Sequence, residues 1–352
     1  MARVPEPVAE VRRAVREVLG DAANVLSARS PEFAASPRAN SPLIIACSGG
    51  ADSLALAAAA VAVAPGEVHG VVVDHGLQDG SAAHSARVAG QLRGLGVTGA
   101  EVVAVEVGTA GGPEAAARAA RYAALRAVSR THGDAPVLLG HTLDDQAETV
   151  LLGLGRGSGA RSLAGMAAWD PPWCRPLLGV RRATTRAACA ALDLPVWDDP
   201  HNADPRYTRA RLRHEVLPAL EEALGGGVAP ALARTAAQLA DDDAALSALA
   251  GQRLDVLVDA DGSLDAVALA AEPPAVRRRV LRSWLAAAGA RELSDAHLRA
   301  VDNVVAQWRG QGVPPLPGEL VVVRARGRLR VLEGPGDDPG VPARPAGPSP
   351  NR

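Results

Sequence analysis

Apolar residues recur along the first part of the chain with two periods, one typical of helices and one typical of strands. Val8, Val11 and Val15 fall on one face of a helix over 6–28, and a loop rich in Ser and Pro follows over 29–42. Strands are then predicted at 43–46, 67–73, 101–107, 136–139 and 175–178, and helices at 54–63, 81–95, 113–131, 144–154 and 184–192. This alternation predicts a doubly wound parallel α/β sheet with helices on both faces.

The pattern changes to mostly helical from about residue 221. Helices are predicted at 228–249, 274–288 and 294–308, and the alternating segment 320–332 predicts a C-terminal hairpin that turns at Arg326 and Gly327. The predicted domains are an N-terminal helix and loop (1–40), an α/β domain (41–220), a smaller helical domain (221–333) and a tail (334–352). Its Pro and Gly content predicts that the tail is disordered.

Charge adds a second difference between the two predicted domains. The 352 residues carry a net charge of only −2, and all 37 basic residues are Arg, which weakens any argument from Arg enrichment alone. Even so, eleven Arg and four acidic residues give the segment 276–330 a local charge of +7. A small basic domain is therefore expected after the α/β domain.

Cysteine spacing and hydropathy restrict the class of protein further. The three cysteines are widely separated and form no Cys-x-x-Cys pair, which argues against a zinc site, an iron–sulfur cluster or a disulfide framework. The N-terminus lacks the apolar core of a signal peptide, and no apolar run reaches membrane-spanning length. We therefore expect a cytoplasmic protein with no membrane partner.

The segment Ser48–Ser53, with the sequence SGGADS, lies between the first strand and the following helix. Two glycines permit a tight turn, and the free N–H groups of the helix start form a site for an anion such as phosphate. A nucleotide P-loop would have a Lys here, whereas this chain has Asp52. A carboxylate beside phosphates is favourable when a metal lies between them, so Asp52 is predicted to hold Mg²⁺. The alternative is an ordinary glycine turn that caps a helix.

Ligands of doubly wound sheets bind beyond the carboxyl ends of the strands, and polar residues follow three of the predicted strands. Asp74 and His75 either hold adenine or ribose, or cap a turn. Arg118 shares one helix face with three other polar side chains, and this face either contacts a ligand or is a solvated salt-bridge face. The polar residues on that face are Glu114, Arg118, Arg121 and Tyr122.

The last of these strands is followed by His141, Asp145 and Glu148. Asp145 and Glu148 are three residues apart on a predicted helix, and such a pair suits a metal or an ammonium group. The alternative is that they only complement the helix dipole. Further along, the segment 206–213 contains four Arg and no acidic residue, which favours contact with polyphosphate or RNA over simple surface charge. These four are Arg206, Arg209, Arg211 and Arg213.

Several motifs together resemble the tRNA(Ile)-lysidine synthetase family, whose PP-loop domain has a Rossmann-like fold. The motifs SGGADS, VDHGL, EAAARAARYAAL, HTLDDQAETVLLGLGRGSG, LAGM, RPLL and DDPHNADPRYTRARLRHEVLP occur in the family's order between about 43 and 220. The segment 294–332 resembles the family's substrate-binding domain more loosely, and the chain resembles the family's short form. Two departures occur: Gly140-His141 replaces His-His, and Arg209-Ala210-Arg211 replaces Arg-Asn-Arg.

The resemblance implies an ATP-dependent ligase that joins free L-lysine to the wobble cytidine of an isoleucine tRNA with a CAU anticodon, and it allows a homodimer. ATP would contact the residues Ser48, Gly49, Gly50, Ala51, Asp52, Ser53, Asp74, His75 and His141. Asp145 and Glu148 would bind the lysine ammonium, Arg118 the activated nucleotide or substrate, and the four arginines of 206–213 the tRNA. Asp52 would hold Mg²⁺.

Two rival functions are compatible with parts of this pattern. A tRNA thiolase on the same fold would need a persulfide-bearing or cluster-binding cysteine, and only Cys47 lies near the predicted site. A non-catalytic tRNA-binding module with a vestigial nucleotide site would not need an intact SGGADS loop. Both are therefore less favoured than the ligase.

Overall fold

The computed structural model describes residues 3–29, 42–110, 112–157, 159–199 and 204–333. The chain forms two compact units, 1–240 and 241–352. The predicted tail (334–352) and nearly all of the predicted loop over 29–42 lie outside the described residues. The predicted domain boundary at 220 stays a prediction.

The first unit contains a six-stranded sheet with the strand order β3-β2-β1-β4-β6-β5. The strands are β1 (Leu43–Ala46), β2 (Val68–Asp74), β3 (Gly99–Ala104), β4 (Val137–Leu139), β5 (Trp169–Asp170) and β6 (Trp173–Cys174). β5 is antiparallel to its neighbour β6, and the other neighbouring strands pair in parallel. The predicted doubly wound parallel sheet is confirmed.

The first unit also contains helices. They are α1 (Glu6–Arg29), α2 (Ala51–Val63), α3 (Ser81–Leu95), α4 (Pro113–Thr131), α5 (Leu143–Gly155), α6 (Ala160–Leu163), α7 (Arg182–Ala191), α8 (Thr208–Arg211), α9 (Leu217–Ala223) and α10 (Val228–Leu257), which continues into the second unit. A π-helical turn, Leu212–Val216, joins α8 to α9. The predicted apolar face of α1, which consists of Val8, Val11 and Val15, is buried in one core cluster with α2 and α7.

One predicted strand is wrong and another is displaced. Residues 175–178 are not a strand, because β6 ends at Cys174 and the chain turns, with Val180 N donating to Leu177 O at 2.9 Å. Pro176 has no N–H to donate to a strand ladder, and the apolar character of the segment reflects burial, since Leu177 is fully buried. β3 starts two residues before the predicted 101 and ends at Ala104 instead of 107.

The second unit combines helices with a small antiparallel sheet. Its elements after α10 are β7 (Leu264–Asp265), α11 (Ala266–Ala270), α12 (Pro274–Ala287), α13 (Asp295–Ala306), β8 (Leu320–Ala325) and β9 (Arg328–Glu333). The predicted hairpin is confirmed, with its turn at Arg326 and Gly327, which both have positive φ. The two-residue strand β7, which pairs with β9, was not predicted because it is too short to show a period.

Strand order determines where a ligand can enter the first unit. From β1 the chain adds β2 and β3 on one side and later β4 on the other, so the connections diverge between β1 and β4. Such a switch point opens a crevice beyond the carboxyl ends of the two strands. No helix among the described residues is long and apolar enough to span a membrane.

Candidate active site

The Ser48–Ser53 loop follows β1 and leads directly into α2. Gly49 has φ +84°, and a Cβ placed on it would lie 2.6 Å from Val88 Cγ2, so this position needs glycine for both its conformation and its packing. The Ser53 hydroxyl donates to Gly50 O at 3.0 Å and accepts from Ser48 N at 3.2 Å. Ser53 therefore holds the loop together from inside, while Ser48 is exposed at its mouth.

Two aromatic residues hold the same loop from outside. Trp197 N donates to Gly49 O at 2.9 Å, and His84 Nε2 lies 3.1 Å from Ser48 O. The His84 and Trp197 rings pack with their centroids 3.8 Å apart. The carbonyl oxygens of Ser48 and Gly49 are thereby engaged. The N–H groups of the first turn of α2 remain for an anion. Neither His84 nor Trp197 was predicted, because they are remote from the loop in sequence and belong to no motif.

Two cavities adjoin the loop. The larger, of about 780 Å³, is lined by Ser48 and Gly50 together with Asp74, the last residue of β2, and His75, which comes directly after it. The smaller, of about 610 Å³, is lined by Ser48, Gly50, Ala51, Asp52, Ser53, Gly140, His141 and Asp145 among others. Of the residues predicted to bind ATP, Gly49 alone lines neither cavity, because it is the buried glycine of the loop.

Asp74 and His75 differ in how they are held. Asp74 Oδ1 accepts from Gly76 N at 3.0 Å, so the carboxylate caps the turn after β2 while it also lines the larger cavity. His75 Nδ1 is buried and has no hydrogen-bond partner among the described residues. Burial, assisted by the nearby Arg121, lowers the pKa of His75, so its imidazole is neutral at pH 7. A neutral ring can donate one hydrogen bond and accept another.

The arginine that reaches the cavities on α4 is Arg121, not the predicted Arg118. Arg118 lines neither cavity, and its Nη2 donates to the Tyr122 hydroxyl at 3.1 Å. Arg121 lines both cavities, and no carboxylate among the described residues pairs with it. Burial lowers the pKa of its guanidinium, which nevertheless stays charged. An unpaired, half-buried cation at the mouth of a glycine loop favours a bound anion.

Asp145 and Glu148 lie on the first turns of α5, as predicted, but they do not face open solvent. Asp145 Oδ2 accepts from both the N–H and the hydroxyl of Thr142 at 2.8 Å, which caps the helix. Arg182 Nη2 donates to Asp145 Oδ1 at 2.7 Å, and Arg213 Nε donates to Glu148 Oε1 at 2.8 Å. We call Asp145, Glu148, Arg182 and Arg213 the ion cluster. Arg182 was not predicted, and Arg213, predicted to contact tRNA, pairs here with both carboxylates.

Asp52 and Asp145 respond differently to burial. Burial by itself raises the pKa of Asp145, but Arg182 and the two Thr142 hydrogen bonds outweigh it and hold this pKa below its usual value. Burial also raises the pKa of Asp52, and there the Thr185 hydroxyl and Arg182, whose Nε is 3.5 Å from Oδ2, offset it only in part. Of these two carboxylates, Asp52 is therefore the one whose negative charge is less well compensated by its neighbours.

His141 and Gly140 stand between the loop and the ion cluster. Burial lowers the pKa of His141 to about 3, so the ring is neutral, and its buried Nδ1 has no partner among the described residues. A Cβ on Gly140 would lie 3.0 Å from the Asp52 carbonyl carbon and the Ser53 nitrogen. Because backbone atoms cannot yield easily, a histidine does not fit at position 140 in this structure.

The remaining predicted arginines lie on the surface of the segment before α9. The side chains of Arg206 and Arg211 are 82% and 61% exposed and pair with Asp204 and Glu215. Arg209 is half-buried. Of the four arginines, only Arg213 pairs with carboxylates of the ion cluster among the described residues.

Comparison with known proteins agrees with this geometry. The model of a PP-loop domain matches residues 23–220, and that of a TilS substrate binding domain matches residues 264–330. A tRNA(Ile)-lysidine synthase of Rhodococcus jostii is 54% identical over 92% of this chain and 95% of its own length. Enzymes of the same name from Mycolicibacterium paratuberculosis (58% identical, 82% and 89% covered) and Streptomyces coelicolor (53% identical, 94% and 99% covered) are equally similar.

Among solved structures, the U34-tRNA thiolase NcsA of Methanococcus maripaludis, which holds a 4Fe-4S cluster, is 20% identical. The match covers 66% of this chain and 79% of the thiolase with a TM-score of 0.52, so it shows a shared fold alone. The curated relatives are more than half identical along most of their length, and on that ground the chain belongs to the tRNA(Ile)-lysidine synthase family.

Proposed function

We propose that this chain ligates free L-lysine to position 2 of the wobble cytidine of an isoleucine tRNA with a CAU anticodon. The cytidine carbonyl oxygen attacks the α-phosphate of ATP and pyrophosphate leaves; the lysine ε-amine then displaces AMP, and the codon read changes from AUG to AUA. One observation carries the proposal: a single cavity is lined by both the anion-binding loop and the carboxylate Asp145. A nucleotide and an ammonium group can therefore meet there.

Activation of the nucleotide is assigned to the loop and to Arg121. An amide-like carbonyl is a poor electrophile, and adenylation turns its oxygen into a good leaving group. Negative charge develops on the departing pyrophosphate, so fixed N–H groups and the half-buried, unpaired guanidinium stabilise that transition state. Arg121 takes the role that we first gave to Arg118, because only Arg121 lines the cavities. The adenosine end then occupies the larger cavity beside Asp74 and His75.

Asp52 is the proposed ligand of Mg²⁺. Among the described residues no three His, Cys, Asp or Glu side chains are grouped as a metal site. Mg²⁺ is commonly held by one or two carboxylates with substrate phosphates and water, and the raised pKa of Asp52 marks a carboxylate that a cation would stabilise. The residue therefore fits the ion, which would neutralise phosphate charge when bound.

The lysine ammonium is assigned to Asp145 and Glu148, and the tRNA to the basic surfaces. Arg206, Arg209 and Arg211 supply phosphate contacts in the first unit, and the second unit carries the basic segment 276–330. An unpaired wobble base is the kind of target that proteins read in RNA loops. Because tRNA and ATP are its substrates, we place the activity in the cytoplasm.

Incorporation of labelled lysine into RNA tests the proposal. Purified protein is incubated with ATP, Mg²⁺, radiolabelled lysine and a CAU-anticodon isoleucine tRNA transcript. We expect label in the RNA, and we expect none with Asp52→Ala or with a transcript whose wobble base is uridine. Release of pyrophosphate without incorporation would instead indicate the thiolase. The cysteines oppose that outcome, since all three are buried and burial raises the pKa of Cys174 to about 12 and of Cys189 to about 11.

Glu148→Gln tests the lysine site itself. The variant keeps the shape of the side chain but removes its charge, so the KM for lysine should rise about tenfold or more while ATP binding survives. An unchanged KM for lysine would refute this assignment. ATP affinity, measured on the same preparation by equilibrium dialysis, is the control for folding.

A further inference from the structure

Glu148, half of the proposed lysine site, has no open face. The side chain is fully buried, and Arg213 contacts both of its oxygens, with Nε 2.8 Å from Oε1 and Nη2 3.2 Å from Oε2. Arg182 approaches Oε1 from the other side at 3.4 Å. A lysine ammonium cannot reach this carboxylate until one guanidinium leaves.

Arg182 is the less able of the two arginines to leave. It lies in the first turn of α7, where its backbone N donates to Asp144 Oδ2 at 2.8 Å. Its side chain touches three carboxylates, those of Asp52, Asp145 and Glu148. The same helix is anchored in the core by the buried residues Ala188 and Cys189. Withdrawal of Arg182 would expose three acidic groups at once.

Arg213 is held by fewer contacts. Among the described residues its side chain bonds only to Asp145 and Glu148. It lies on the π-helical turn Leu212–Val216, a rare geometry that is frequent at functional sites. The exposed Arg206 and Arg211 lie just before this turn, so its surroundings attract phosphate. Arg213 also lines the cavity next to the loop.

Charge balance limits what can replace Arg213. A buried carboxylate that loses its cation is strongly destabilised, so the guanidinium leaves only when another cation arrives. Lysine brings one positive charge, and the exchange conserves the charge of the cluster. The departing guanidinium in turn needs an anion, and both substrates with phosphate groups, ATP and tRNA, come to this edge in the proposed function.

We propose that Arg213 is an internal competitor for the lysine site, which it yields when a phosphate group takes its guanidinium. The inference rests on the proposed function, because it assumes that lysine binds at Asp145 and Glu148. Competition by Arg213 makes substrate binding ordered: the phosphate-bearing substrate binds first, and lysine binds second. Lysine is thereby kept out of an enzyme that has nothing to attach it to.

The proposal is tested by measuring the affinity of the Arg213→Gln variant for L-lysine. The measurement uses titration calorimetry without ATP or RNA. The variant should bind lysine at least about tenfold more tightly than the unaltered protein, a typical size for coupling between sites. Arg211→Gln is the matched control, since Arg211 lies two residues away and pairs only with the exposed Glu215 among the described residues. Its lysine affinity without ATP or RNA should equal that of the unaltered protein.

Two further titrations identify the source of the phosphate. Lysine affinity of the unaltered protein is measured with Mg²⁺ and a non-cleavable ATP analogue, and separately with the tRNA transcript. The addition that tightens lysine binding about tenfold supplies the phosphate, and Arg213→Gln should no longer respond to it. If neither addition tightens lysine binding, the proposal is wrong.

A folded Arg213→Gln protein that binds the ATP analogue normally but binds lysine no better than the unaltered protein would also refute it. Should that variant not fold, Arg213→Lys replaces it, because an ammonium lacks the planar array of N–H groups with which the guanidinium contacts three carboxylate oxygens at once, and intermediate lysine affinity is expected. Failure of the proposed function looks different. In that case the unaltered protein incorporates no lysine into the CAU transcript under any condition.

Discussion

The Ser48–Ser53 loop and the ion cluster lie at the same edge of the sheet but solve opposite electrostatic problems. The loop is six consecutive residues whose anion-binding groups are mostly backbone N–H dipoles, and the nearby Arg121 has no carboxylate partner among the described residues. The ion cluster brings full charges from three separate segments into mutual contact. The loop is ready for a ligand, whereas the cluster is satisfied without one.

This difference follows from the cost of burying each kind of group. A backbone amide at a helix start is only partly charged and can stay open to water. A carboxylate enclosed on all sides, such as Glu148, loses too much hydration to remain single and is stable only when paired, whereas Arg121 is only half-buried and keeps contact with water. In this chain a cationic substrate at Glu148 must therefore replace an arginine, whereas an anion at the loop has no carboxylate to displace from Arg121 among the described residues.

The largest expected effect concerns Arg121, the arginine beside the loop that has no carboxylate partner among the described residues. Arg121→Gln removes the half-buried cation that lines both cavities, and kcat/KM for pyrophosphate release should fall about 10²- to 10³-fold. Arg118→Gln, three residues earlier on the same helix, is the matched variant, and its effect should be only about threefold because an exposed charge is screened. Equal losses in the two variants would place the anion elsewhere.

A substitution in the loop should affect stability as well as activity. Gly49→Ala forces a side chain into a position with φ +84° and within 2.6 Å of Val88, and it should lower the free energy of unfolding by about 2–3 kcal/mol. Gly50→Ala is the control, because Gly50 has φ −74° and its Cβ would meet nothing closer than 3.6 Å. Urea unfolding curves measure both. Equal midpoints for the two variants would contradict the observed loop conformation.

A smaller effect concerns His141, which lies beside the ion cluster. Its pKa is about 3 in the folded chain, and the unfolded value is about 6.5. The unfolded chain therefore binds a proton that the folded chain refuses, and stability is lost as the pH falls below about 6.5, by about 2 kcal/mol at pH 5.

Replacement by an uncharged residue should remove this dependence. Between pH 7 and pH 5 the free energy of unfolding should fall by about 2 kcal/mol less in His141→Gln than in the unaltered protein. Urea unfolding at both pH values measures this difference. Identical pH dependence in the two proteins would show that His141 binds a proton as readily in the folded chain as in the unfolded chain. The arrangement of its neighbours would then need to be revised.

Contiguous features were the ones that could be predicted from the sequence. The α/β order, the loop SGGADS and the hairpin at Arg326 and Gly327 depend on residues close together in the chain, and the resemblance to the family was carried by such motifs. The exceptions were also local in origin. Residues 175–178 were mistaken for a strand because burial in a turn and burial in a strand produce the same apolar run.

Helix periodicity could not identify which arginine of α4 lines the cavities. Arg118 and Arg121 share one face, and a spacing of three residues does not show which of them is directed at the nucleotide edge. That choice depends on how the helix is rotated against the sheet. Tyr122 packs edge-on against Trp173 of β6, a contact that no pattern within α4 could reveal.

By itself, the sequence determined the order of the elements, the anion-binding loop and the carboxylate pair on α5, because period, turn chemistry and spacing are encoded within short segments. Only the tertiary structure decided which charges meet. Arg182 and Arg213 reach Asp145 across 37 and 68 residues of chain, and Trp197 N donates to Gly49 O across 148 residues. Partners of buried charges are selected by proximity after folding, and a single sequence carries no record of that proximity.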